Sequence, residues 1–201
     1  MEGVAAFSIQ ETNTSRVASQ NRAIPTRRFS PMQALQISLL LVFPALAIVG
    51  ALKDLTSYTI PNWVSLALVG AFPVAALAVG APLGDVGLCA AVGFIGLLMG
   101  MGMFAAGWIG GGDGKLFAAC ALWVGWPAAL PFMLYTGLAG GALTFAILGL
   151  RSGWLAPAVA GGPAWLRKLG TNGGDLPYGV AIAIGALAAF PQSPLAHGIL
   201  G

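Results

Sequence analysis

Apolar residues run along this chain in long unbroken blocks, with the polar residues gathered between them. Ala34 to Leu52 is free of charge until Lys53-Asp54, Asn62 to Val79 is a second such stretch, and Val86 to Trp108 a third broken by none. Each is close to the ~20 residues that a helix needs to cross about 30 Å of hydrocarbon. From Leu116 to Leu150 no charge occurs at all, and as one helix that stretch would extend about 52 Å. Gly125-Trp126-Pro127 and Pro131 near its middle divide it into two spans. A last span begins at about Tyr178 and runs to Phe190, extending towards Leu195. The second span has a clear start at Pro61-Asn62, because proline disfavours helix in the residue before it and Asn is a good cap. The pattern predicts an all-α polytopic membrane protein with about six transmembrane helices.

Composition agrees. Charged residues make up 7% of the 201 positions and hydrophobic ones 58%, where a soluble domain carries about 25% charge. Too few charges are present to cover a soluble surface, and disordered chains are poor in apolar residues rather than rich in them. Glu2, Glu11, Arg16, Arg22, Arg27 and Arg28 crowd into the start of the chain. Residues 1–31 are therefore expected to be a polar tail, disordered or a mis-assigned start at a chain that begins with Met32, and residues 32–201 the membrane domain. The net charge of +3 comes with no basic run beyond Arg27-Arg28 and Arg167-Lys168, so no nucleic-acid partner is expected. Cys89 and Cys120 fall inside apolar runs without a CxxC or a nearby His, which indicates neither zinc nor a disulfide framework.

Topology follows from the loop charges. With six spans, the first, third and fifth connections share one side and hold Lys53, Lys115, Arg151, Arg167 and Lys168; the other side holds only Asp85. Positive residues mark the cytoplasmic side, which leaves the arginines of the tail misplaced unless the tail is absent or translocated. Gly93, Gly96 and Gly100 in the third span, and Gly137 with Gly141 in the fifth, are expected to let helices approach closely. Trp63, Trp108, Trp123, Trp126 and Tyr178 fall near span ends, as an interfacial belt requires.

A carboxylate in such a chain needs a reason, since a charge at the bilayer centre costs at least about 2.5–3.5 kcal/mol. Asp85 beside Gly84, and Asp175 after Asn172-Gly173-Gly174, read as turn residues. Asp54 and Asp113 differ. Asp54 closes the first span ahead of a polar, uncharged bend that ends at Ile60-Pro61-Asn62, and Asp113 lies in Gly110-Gly111-Gly112-Asp113-Gly114-Lys115 between the third and fourth spans. Both are at the same boundary on different helices. The second segment is no phosphate loop, because Ile109 replaces the first Gly and Leu116 the Ser or Thr that holds magnesium. Glycines around an Asp instead let an extended peptide approach it and tolerate unusual backbone dihedrals.

Two facing carboxylates cannot both ionise easily, so they share a proton. The ionised one can take a proton from water as it attacks a peptide carbonyl, while the protonated one donates to the carbonyl oxygen. The sole His, His197, lies close to the C-terminus on the expected far side, so no Ser/His or Cys/His set forms. Membrane carboxylates also serve ion pathways, and a small transporter or a non-enzymatic assembly component is the competing reading.

Lys53-Asp54 with Ile60-Pro61-Asn62, and Gly107-Trp108-Ile109 running into Gly110 to Leu116, resemble the type IV prepilin peptidase family; Leu176-Pro177-Tyr178-Gly179-Val180 is similar to a third element of that family. The resemblance covers roughly Met32 to the C-terminus. It implies a membrane aspartic endopeptidase of the bacterial inner membrane, with Asp54 and Asp113 as the dyad, which removes the basic leader from prepilins at the cytoplasmic face. Longer members carry an extra cytoplasmic region with paired cysteines and also methylate the new N-terminus. The chain has neither that length nor those cysteines, and so looks like the short, peptidase-only form of tight-adherence (Flp) pili and their pseudopilins, with no methylation and no cofactor, metal or S-adenosylmethionine expected. In this reading Gly110, Gly111, Gly112 and Gly114 shape the backbone around Asp113. Pro61 and Asn62 hold the Asp54 loop, and Lys115 steadies the carboxylates or the substrate, or is simply a topology signal. Arg151 to Asp175, with Trp154 and Trp165, reads as a solvated loop or a surface segment that guides substrate. A related membrane aspartic protease acting on archaeal preflagellins is the other enzymatic alternative.

Overall fold

The structure, a computed structural model, describes residues 30–151 and 176–200, with Gly161 and Arg167 besides. The chain divides between Met32 and Gln33, and the residues that build the site belong to the second unit. The tail expected over residues 1–31 lies outside the described residues except for Ser30 and Pro31. The expected surface segment lies outside them too, apart from Arg151, Gly161 and Arg167.

The described helices are α1 Pro31–Ser57, α2 Asn62–Val79, α3 Leu83–Ala105, α4 Gly111–Val124, α5 Ala129–Arg151 and α6 Tyr178–Ala189. A 3₁₀ turn, Phe190–Gln192, then leads into the short α7, Pro194–Leu200. Five stretches (α1, α2, α3, α5 and Tyr178–Gly198) are long and apolar enough to cross a membrane. Their outer faces carry exposed Leu41, Ile48, Leu66, Leu77, Phe94, Leu134 and Phe145, a surface that lipid matches and water does not. The protein is an all-α polytopic membrane protein.

The fourth span departs from expectation. α4 begins at Gly111 rather than Leu116 and has 14 residues, about 21 Å and short of a full crossing. It is buried along nearly its whole length, with α2, α3, α5 and α6 packed around it. Because protein and not lipid surrounds it, it can carry Asp113 in its first turn. Asp85 likewise sits in the first turn of α3 rather than in a free turn, where a carboxylate faces the positive end of the helix dipole.

The α3 glycines do what their spacing predicts. A Cβ on Gly93 would lie 2.8 Å from Leu122 Cβ, on Gly96 2.9 Å from Ala121 Cβ, and on Gly100 2.8 Å from the Gly114 carbonyl oxygen. The two backbones therefore meet with nothing between them. In α5 the expected face is wrong: Gly137 and Gly141 have nothing within 4 Å of a Cβ, and the close approach is made by Gly185 of α6, whose Cβ would lie 2.8 Å from Thr136 Cα. The periodicity of small residues marks an open face as readily as a packed one.

Trp123 is a second correction. Instead of joining an interfacial belt, it is fully buried, stacked on Phe43 at 5.3 Å and edge-on to Phe72 at 5.9 Å. Its indole N–H donates to the Leu68 carbonyl at 2.8 Å. Trp63, Trp108 and Trp126 are exposed as the belt requires. Trp123→Phe keeps most of the ring packing but gives up the buried indole hydrogen bond, so a loss of about 0.5–1.5 kcal/mol is expected, read as a lower unfolding midpoint in detergent.

Candidate active site

α1 runs past its expected end and carries Asp54 inside its last turns, with the side chain facing inward and 4% exposed. The helix stops at Tyr58, whose φ is 54° and whose N–H donates to the Asp54 carbonyl at 2.9 Å. A left-handed residue at this place is ordinarily Gly, and an aromatic one is a genuine outlier. The turn sends Ile60 into the protein and delivers the chain to Pro61, which caps α2 with φ −62° and ψ 137°. Asn62 is the first residue of α2 and makes no side-chain cap. Its amide oxygen accepts from Lys115 Nζ at 2.9 Å instead.

Asp113 is the third residue of α4 and 7% exposed. Its Oδ2 accepts the N–H of Gly110 at 3.1 Å, the reach back to the cap residue that half of a capping box makes. Asp54 Oδ2 accepts the N–H of Gly179 at 2.7 Å. Gly179 is the second residue of α6, which follows the buried Pro177. Each carboxylate is thus held by a backbone donor at the positive end of a helix. The α1–α2 bend, the α3–α4 loop and the start of α6 meet at one end of the bundle, where Ile60 lies against both Gly112, the neighbour of Asp113, and Gly179, the donor to Asp54.

Ile60 is the wedge between the two. A Cβ on Gly112 would lie 3.2 Å from Ile60 Cβ and 3.3 Å from its oxygen; one on Gly179 would lie 2.8 Å from Ile60 Cδ1 and 2.9 Å from Asp54 Oδ2. Gly114 presses on the Gly100 carbonyl, with 3.1 Å left for a Cβ, while one on Gly111 would make ordinary contact with Phe104 at 3.5 Å. Among the described residues the left-handed glycines are Gly80, Gly107 and Gly125, so the Gly110–Gly114 run supplies space rather than unusual dihedrals.

The expected sites therefore separate. Asp54, Asp113, Gly110, Gly112, Pro61 and the Ile60 bend come together. Lys115 points away and ties α4 to α2 through Asn62. His197 belongs to the other end, where its neighbour Gly198 approaches Val79 at the close of α2. No three His, Cys, Asp or Glu side chains gather among the described residues. Ile60 and Gly179 had no task assigned by sequence, although both lie in segments that stood out; Pro177, fixing the entry to α6, was the available signal.

The Lys115–Asn62 bond is exposed, and such bonds contribute under about 1 kcal/mol. Asn62→Ala and Lys115→Ala are expected to cost a few tenths of a kcal/mol each and no more together than the larger alone, measured as unfolding midpoints in detergent.

A family model described as the type IV leader peptidase family matches residues 41–145, slightly more than half of the chain. The matched segment contains both aspartates and ends before α6, so Gly179 lies beyond it. No curated protein and no solved structure matches the chain.

Proposed function

The chain belongs to the type IV leader peptidase family, and from that premise we propose that it is a membrane aspartic endopeptidase with Asp54 and Asp113 as its dyad. One observation carries this reading: two buried carboxylates from different helices, each held by a backbone N–H, converge on the Ile60 bend at one end of a membrane bundle. Nothing structural in a bundle requires two such charges at one end, since each costs desolvation.

The chemistry is hydrolysis. The ionised carboxylate removes a proton from water as the water oxygen attacks the peptide carbonyl carbon, and the protonated carboxylate donates its proton to the carbonyl oxygen. Collapse of the resulting diol breaks the C–N bond: one diol hydroxyl gives its proton to the ionised carboxylate as the C=O reforms, and the protonated carboxyl passes its proton to the leaving nitrogen, so the dyad again holds one proton. Water is the only co-reactant. The substrates are Flp-type prepilins or pseudopilins with a short basic leader, and no methylation of the new N-terminus follows. Lys53, Lys115 and Arg151, in the helix ends on the side of the dyad, support placing that end at the cytoplasmic face of the bacterial inner membrane.

The test is co-expression with a Flp-type prepilin in a host without leader peptidase, with leader removal followed by gel and intact mass. A single cut after the leader is the expected result. An intact precursor at normal membrane abundance of the protein would return it to the non-enzymatic reading.

A further inference from the structure

Two grooves open on the lipid-facing surface. One, of about 520 Å³, lies between α2 and α3, with Lys115 and Asn62 at its polar end. The other, of about 410 Å³, lies between α3 and α5 and is floored by Phe117 of α4 and Ile182 of α6. We propose that the second groove is the docking site for an apolar helix of the substrate, directly adjoining the scissile bond. This inference rests on the peptidase reading above and adds to it where the uncut part of the precursor lies.

Continuity with the dyad selects this groove. Its mouth is formed by Ile109 and Tyr178, the residues immediately before Gly110 and Gly179, whose N–H groups hold Asp113 and Asp54. Its floor residue Phe117 follows Asp113 by four positions and so lies on the same face of α4. Lys115 follows by two positions and lies on another face, so the α2–α3 groove opens away from the carboxylates. A chain leaving the dyad along the α3–α5 groove needs no turn around α4.

The surroundings fix the chemistry of the occupant. Along α5 the lining runs from Met133 to Thr144, about 16 Å of helix or three turns. The flanking faces are apolar and exposed, at Met101 and Leu138 among others. A peptide in that setting must satisfy its own backbone hydrogen bonds, so it is a helix, and its side chains are apolar. Gly137 and Gly141 leave open space where side chains would stand, which admits a second helix at short range. Met99, Met103 and Met133 on the walls adapt to irregular side chains. The occupant is thus an apolar, membrane-inserted helix of the precursor, lying on the side of the scissile bond that faces the bundle.

The test uses the full-length protein with a Flp-type prepilin that retains its apolar segment. Gly137→Leu and Gly141→Leu place side chains in the groove from positions where a Cβ meets no protein atom within 4 Å, and Gly70→Leu, on the outside of α2 with equally open space, is the control. Cleavage by the two groove variants is expected to fall at least tenfold while the control matches wild type. In an inactive Asp113→Asn background, a photo-crosslinker at position 137 is expected to capture the prepilin, and one at position 69 in the α2–α3 groove is not. Wild-type cleavage by the groove variants, or capture from position 69 alone, overturns the inference while leaving the peptidase intact. A wild-type protein that cuts nothing fails the peptidase reading instead. A crosslink at 137 then still marks the groove as a helix-binding surface, and its absence removes that as well.

Discussion

Asp54→Asn and Asp113→Asn are each expected to abolish leader removal, with cleavage at least about 10³-fold slower than wild type, the upper part of the range for a positioned acid or base. The substitution suits the geometry because it changes so little else. Asn keeps the size of Asp and an amide oxygen, so position 54 can still accept the Gly179 N–H and position 113 the Gly110 N–H. Membrane abundance and the unfolding midpoint should therefore stay near wild type. What is lost is the ability to exchange a proton with water or with the carbonyl oxygen.

Residues that act as one unit are strongly non-additive. The double variant should consequently be no slower than the slower single one, with leader removal followed over hours and product identified by mass. A graded loss, with one variant retaining a tenth of the activity, would point to carboxylates that shape the bundle or bind ions. That outcome would favour the non-enzymatic alternative directly, because an ion site with one remaining carboxylate still binds weakly whereas half a dyad does not turn over.

Asp54 and Asp113 were legible in the sequence because a charge within an apolar chain has few explanations. So was their placement on one side of the membrane, since positive residues on the odd connections already put both there, although not that the two meet around Ile60. The Gly93, Gly96 and Gly100 stripe was legible for a similar reason: three small residues at helical spacing opposite a short loop have an obvious partner in the next helix. Other features depend on the third dimension. Trp123 near a span end reads as interfacial until α4 proves too short to reach the interface and is enclosed by its neighbours. Gly137 and Gly141 have the spacing of a packing face, and only the gap between α3 and α5 reveals that nothing packs there. Tyr58 gives no sequence hint of its left-handed backbone, because that conformation is imposed by the Ile60 bend it serves. Gly179 stands 125 residues from its partner Asp54, and no local pattern encodes so distant a hydrogen bond.

The strongest test of that distant bond is a single methyl group. Gly179→Ala retains the backbone N–H that holds Asp54, and Ala is the better helix former at an α6 position, so neither the donor nor local stability is lost. The added Cβ would nevertheless fall 2.9 Å from Asp54 Oδ2, 3.0 Å from Asp54 Cβ and 2.8 Å from Ile60 Cδ1. The Ile60 methyl can swing away, but Asp54 Cβ moves only with α1. A shift of around 1 Å at a reacting group costs about 10²-fold in rate, and that is the loss expected for Gly179→Ala in prepilin cleavage. Gly179→Val should lose more. Gly112→Ala meets only Ile60, at 3.2 Å, and should lose less. Adding Ile60→Val to Gly179→Ala removes one of the three clashes and is expected to restore activity only in part. Full recovery would place the whole effect in the Ile60 wedge, and wild-type activity in Gly179→Ala alone would show that Asp54 tolerates displacement and is not held in register by α6.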